Sequence, residues 1–123
     1  MAKTLALVLI AAVIGGTGHT FLSKGMRTVG DLTEAPAHRV GGMVARALAN
    51  PWLLLGVALQ ATFFFLYLTL LSRAEVSQIL PMTAIDYIVV AFLASLVLGE
   101  VVTPVRWAGI GLIVTGVFLV SRT

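Results

Sequence analysis

Apolar residues fill this chain in long runs that break only at short polar joints. The first run, Thr4 to Ser23, holds no Lys, Arg, Asp or Glu, and Lys3 and Lys24 bracket it. As a helix its roughly 20 residues span about 30 Å, one hydrocarbon thickness. Lys3 also resembles the charged start of a cleaved signal peptide. No A-x-A site follows, however, and the later runs would then lack a partner helix. A second run extends from Trp52 to Leu71 behind Asn50-Pro51, a third from Val76 to Leu98, and a fourth from Pro104 to Val120. Proline suits the first turn of a helix, where its missing N–H is not needed. The joints Ser72–Glu75 and Gly99–Thr103 are short, so helices two, three and four are expected to be antiparallel neighbours.

The connection from Lys24 to Asn50 is different in kind. It carries Arg27, Asp31, Glu34, His38, Arg39 and Arg46. From Pro36 onward Val40, Met43, Val44, Ala47 and Leu48 recur at helical spacing, which predicts a short amphipathic helix in the headgroup plane. A flexible loop is the alternative, because Gly41-Gly42 weakens any helix.

Composition turns a helical pattern into a membrane one. Of 123 residues, 59% are hydrophobic and 11% charged, and the mean hydropathy is +1.07. A soluble domain of this size has too little interior to hide that much apolar surface. The expected fold is therefore all-α: one domain, residues 1–123, of four transmembrane helices. The net charge of +3 is weak support for nucleic-acid binding, and basic residues beside membrane segments more often meet lipid headgroups. With no cysteine there is no disulfide or thiolate site. His19 and His38 have no carboxylate at ligand spacing, so no metal or other cofactor is expected. Four spans put both termini on one side with Lys3, Arg73 and Arg122, opposite Lys24, Arg27, Arg39, Arg46 and Arg106. That bias leaves insertion in both directions open.

Several polar residues remain inside the apolar runs. Asp86 lies near the middle of the third, where a carboxylate costs roughly 2.5–3.5 kcal/mol on insertion scales. It is either a structural acid hydrogen-bonded to another helix or a group that binds cargo or exchanges a proton for it. Thr83 is one turn before it and Tyr87 is adjacent. Pro81 removes the backbone bond to Ser77 and is expected to kink the helix. Topology places Lys24, Glu100 and Arg106 at one leaflet. They are either snorkelling anchors or a headgroup site in which a base meets phosphate and Glu100 orients it. His19 and Thr20 lie one turn inside that face, and Gln60 adds a neutral hydrogen-bonding group in the second run. Gly109, Gly111 and Gly116 in the fourth run are a helix-packing signal.

The order of short motifs resembles the drug/metabolite transporter superfamily, the EamA-like group. Gly99-Glu100 ends one helix, a short joint follows, and Leu112-Ile113-Val114-Thr115-Gly116-Val117 lies in the next. Lys24-Gly25 matches the family's first-helix ending. Two four-helix branches are candidates. Small multidrug resistance proteins exchange protons for cations through a glutamate midway along the first helix. Here Gly16 falls near that place, and the run contains no acid. The chain is more similar to the paired small subunits that flip undecaprenyl-phosphate aminoarabinose. The shared features are Pro81 to Asp86 and the joint from Glu100 to Arg106-Trp107. That branch usually has an amide at Asp86 and Gln where His19-Thr20 fall.

The resemblance implies a multi-pass inner-membrane flippase, without cofactors, that moves a polyprenyl-phosphate-linked sugar or related lipid. It implies pairing as a homodimer or with a similar small subunit. Lys24 and Arg106 would hold the phosphate, while Asp86, Thr83, Tyr87 and Gln60 receive the sugar or amine. A proton-driven exporter of small cations and a non-transporting accessory subunit are the rivals. An enzyme is disfavoured, because no nucleophile is paired with a base.

Overall fold

The computed structural model describes residues 2–123. The elements are α1 (Ala2–Val29), α2 (Ala37–Ala49), α3 (Pro51–Leu71), α4 (Val76–Met82), a 3₁₀ turn (Thr83–Ile85), α5 (Asp86–Val97) and α6 (Pro104–Ser121). Four segments are long and apolar enough to cross a membrane: α1, α3, the α4–α5 segment Val76–Val97, and α6. The all-α, four-span architecture expected from the hydrophobic runs is therefore present.

Helix ends differ from the ends of the apolar runs where a cap, not hydropathy, stops the backbone. α1 continues past Ser23 to Val29, because nothing between Lys24 and Val29 breaks a helix. It ends at Gly30, whose φ of 98° lies in the left-handed region. Over 28 residues it is about 42 Å long, so its last turns project beyond the hydrocarbon. α3 starts at Pro51, behind an Asn50 side chain that accepts from the N–H groups of Trp52 and Leu53 at 2.9 and 3.3 Å. Just past the end of α5, Gly99 takes a φ of 67°, which lets the Glu100 N–H reach back to the Ala94 carbonyl at 3.1 Å.

The third span is two helices in tandem. Pro81 cannot donate to the Ser77 carbonyl and crowds it. The backbone then tightens into 3₁₀ geometry over Thr83–Ile85 before α5 resumes. Between α1 and α3, Ala37–Ala49 is helical despite Gly41-Gly42. Met43 is buried against Val29 and Leu53, a tertiary contact that offsets the glycine cost. In the preceding loop Asp31 accepts from the Thr33 hydroxyl and N–H at 2.6 and 2.8 Å. Those two bonds hold its carboxyl below the ordinary carboxylate value.

α1 is the central helix. It packs along α3 and α5, and its buried face is made of Ala11, Ala12, Gly15, Gly16, Gly18 and Gly25 among others. The approach is tight enough that a methyl group at Gly16 would sit 2.7 Å from Val89 Cγ1, and one at Gly25 would sit 2.5 Å from Leu53 Cγ. α6 is peripheral, lying on α4 and the 3₁₀ turn with Val117 buried. The expected packing role of Gly109, Gly111 and Gly116 is not realised within the chain: no atom lies within 4 Å of a Cβ built at any of the three. The glycines that bring backbones together lie at the α1 interfaces, in α1 itself and at Gly56 of α3, where a methyl group would sit 2.9 Å from the Leu22 backbone nitrogen.

This packing predicts opposite outcomes for similar substitutions. Gly25→Ala should lower stability by about 1–3 kcal/mol through overpacking. Gly109→Ala, in open space, should not lower it. Reversible unfolding in mixed detergent micelles measures both.

Candidate functional site

The polar side chains of the spans separate into three places. The first is in the membrane interior, where α1 meets the start of α5. Asp86 is the first residue after the 3₁₀ turn, and its side chain is only 9% exposed. It faces α1, with Oδ2 at 3.7 Å from His19 Nε2. That is an ion-pair distance, longer than a hydrogen bond. His19 is half exposed. Thr20 is buried and donates to the Gly16 carbonyl at 2.9 Å. The pairing of His19 with Asp86 was not evident from either residue alone. The apolar runs put His19 one turn inside the face and Asp86 near mid-span, and only the packing of α1 on α5 brings the two side chains together.

The second place is a groove of about 240 Å³ between α5 and the start of α6. Tyr87, Val90, Ala91 and Ala94, spaced at i, i+3, i+4 and i+7, form one wall, and Ile110 contributes to the other. Glu100 and Arg106 stand at the charged end. The groove exists because α6 leans on α4 and the 3₁₀ turn. Beside α5 its start makes an edge-to-face contact between Trp107 and Phe92, with centroids 5.3 Å apart. Tyr87 is half exposed. One end of the groove is thus ionic and its length is apolar.

The third place is the α1–α2–α3 corner at the same membrane side. Lys24 Nζ lies 4.2 Å from the centroid of the Trp52 ring, a cation–π contact. Glu100 is ion-paired with Arg27. The triad expected from topology is therefore rearranged. Lys24 is held by an aromatic ring, Arg27 takes the role of Glu100's partner, and Arg106 shares the groove with Glu100. Ending the first helix at Ser23 hid Arg27, which sits one turn beyond Lys24 on a helix that continues.

Two further expected residues serve internal bonds. Gln60 Nε2 donates to the Gly15 carbonyl at 2.9 Å, tying α3 to α1. The Thr83 hydroxyl donates to the Leu80 carbonyl at 2.7 Å, just past Pro81. Of the four residues expected to receive a sugar, only Tyr87 lines the groove. Asp86 points to the other side of α5, and Gln60 and Thr83 have their own partners. Among the described residues no group of three or more His, Cys, Asp or Glu could hold a metal ion.

Residues 37–122, from α2 to the end of α6, match the EamA-like transporter family. Named relatives agree. A protein of Pseudomonas savastanoi pv. phaseolicola is 33% identical over 79 residues, 64% of this chain and 69% of the relative. One of Pseudomonas aeruginosa is 37% identical over 82 residues, 67% and 70%. One of Aeromonas hydrophila is 32% identical over 74 residues, 60% and 65%. Each is named "Probable 4-amino-4-deoxy-L-arabinose-phosphoundecaprenol flippase subunit ArnE". No solved structure matches the chain. With four apolar helices and this extent of agreement, the chain belongs to the EamA-like transporter family and is a multi-pass protein of the bacterial inner membrane.

Proposed function

We propose that this protein is one subunit of a flippase that moves a polyprenyl-phosphate-linked sugar across the membrane. The observation that carries the reading is the α5–α6 groove, ionic at one end and apolar along its length. A lipid with a charged headgroup has the same polarity along its axis. In the low dielectric of the bilayer a phosphate needs charge-assisted donors, and a guanidinium meets it with two parallel N–H bonds. Arg106 supplies that fork. Glu100, oriented by Arg27, accepts from an amine or hydroxyl of the sugar, and Tyr87 offers a hydroxyl farther in. The polyprenyl tail stays in lipid through the open side of the groove. Similarity to subunits named for 4-amino-4-deoxy-L-arabinose-phosphoundecaprenol supports an amino sugar as the headgroup.

The word subunit in those names also supports a paired assembly. A single copy leaves α6 with α4 and the 3₁₀ turn as its main packing partners, a thin wall for a transport path. In this reading α2 lies in the headgroup plane with Arg39 and Arg46 toward phosphates. Opening follows from the Pro81 break, because a 3₁₀ turn between two helices lets α5 move without unpacking α4. Rocking of paired subunits would then alternate access.

A second reading, proton-coupled export, draws on the His19–Asp86 pair. Two titratable groups facing each other inside the membrane are expensive to keep, and such pairs mark proton paths.

Two measurements test these readings. In proteoliposomes containing the complete assembly, Arg106→Gln should slow flipping of a fluorescent polyprenyl-phosphate amino sugar about tenfold, the loss of one charge-assisted contact. Val105→Ala, beside it but lipid-facing, should not. An unchanged rate in Arg106→Gln removes the phosphate site. Asp86→Asn should abolish any dependence of transport on an imposed pH gradient. Transport that responds to the gradient as before would exclude Asp86 from proton coupling.

A further inference from the structure

A second cavity lies at the membrane face opposite Arg106. It holds about 340 Å³ and is formed where α1 begins, where α3 passes into α4, and where α6 ends. Thr4, Arg73, Glu75, Ser77 and Gln78 line it. Arg73 is fixed rather than trailing in solvent: its Nε donates to the hydroxyl of buried Thr4 at 3.2 Å. That single bond uses one of five guanidinium donors and sets the plane of the fork. Among the described residues no carboxylate lies within 4 Å of Arg73, so its terminal amino groups are available to an anion. Glu75 is on the same cavity and unpaired by the same measure. Ser77 also lines the cavity, and its carbonyl is the one Pro81 cannot serve.

A positive fork and a separate carboxylate, with neutral acceptors between them, match a phosphate that carries a primary amine. An arginine and a glutamate, Arg106 and Glu100, also share the groove at the far end of the molecule, although there Glu100 is ion-paired with Arg27. Met82, before the 3₁₀ turn, belongs to this cavity, and Tyr87, after it, belongs to the other. The break in the third span therefore stands between two charged basins at opposite leaflets. We infer that the Arg73–Glu75 cavity is a second headgroup site, one that binds an amine-bearing phosphate lipid at the leaflet of the termini. It rests on the flippase reading for which lipid arrives there, whereas binding itself is measured without transport.

The chain has no cysteine, so Ser77→Cys places one thiol in the cavity. Its modification by methyl methanethiosulfonate is followed on detergent-solubilised full-length protein. At saturation dihexanoyl phosphatidylethanolamine should protect the thiol from modification, and dihexanoyl phosphatidylglycerol should protect it less. Adding Arg73→Gln should remove the protection, while Lys3→Gln, a base on the same face outside the cavity, should leave it. Adding Glu75→Gln should erase the preference for the amine-bearing lipid, a readout that a misfolded Arg73 variant cannot supply. Equal rates with and without lipid overturn the site, whatever the transport result. Protection by soluble O-phosphoethanolamine alone, with none by the lipid, overturns its assignment to a lipid headgroup. The flippase reading fails separately, if Arg106→Gln transports normally while the thiol of Ser77→Cys is protected.

Discussion

The close approach of α1 to α3 and α5 is the contact on which the remaining geometry depends. Lipid tails are as apolar as leucine, so burying apolar side chains between helices gains little in a bilayer. Association there rests on van der Waals fit and on hydrogen bonds between helices. α1 supplies the fit with a face of glycine and alanine. Leu53 settles over Gly25 and Val89 over Gly16. Gln60 adds the hydrogen bond, reaching the Gly15 carbonyl at the same interface. Because these backbones are close, the ends of α1 are positioned too, and with them Thr4 on one side and Lys24 and Arg27 on the other.

What α1 gains in packing, α6 lacks. Its neighbours are α4 and the 3₁₀ turn, and its glycines meet open space. This imbalance opens the groove beside α5. It also explains why the groove is lined by Tyr87 and Ala94 on the face of α5 turned away from Asp86. One helix thus serves two environments. Asp86 and Val89 face the tight α1 interface, and Tyr87, Val90, Ala91 and Ala94 face the groove.

Pro81 connects these two environments to the other end of the molecule. Ahead of it, α4 borders the Arg73–Glu75 cavity; beyond it, α5 borders the Glu100–Arg106 groove. A continuous helix would couple the two walls rigidly over about 30 Å. With a 3₁₀ turn in between, only the three residues Thr83–Ile85 need to change for one wall to move. The exposed Arg27–Glu100 pair is worth only about 0–1 kcal/mol as an exposed ion pair, so it orients Glu100 more than it holds the fold.

The four spans and their order were legible from the sequence. Twenty-odd apolar residues have one stable arrangement in a bilayer, a helix that satisfies its own backbone. The break at Pro81 was legible for a similarly local reason, since a missing N–H acts on the turn that contains it. Gly99-Glu100 and Leu112 to Val117 carried the family, because the short motifs kept their order. The partners of the polar residues were not legible. Whether Glu100 meets Lys24, Arg27 or Arg106 depends on how far α1 continues past the apolar run and on its rotation about its axis. Hydropathy specifies neither. Glycines in α1 and α6 look alike in the sequence, but only α1 is flanked on two sides. The chain's letters determined which segments enter the membrane; side-by-side packing of those segments decided which faces meet, and therefore which charges share a cavity.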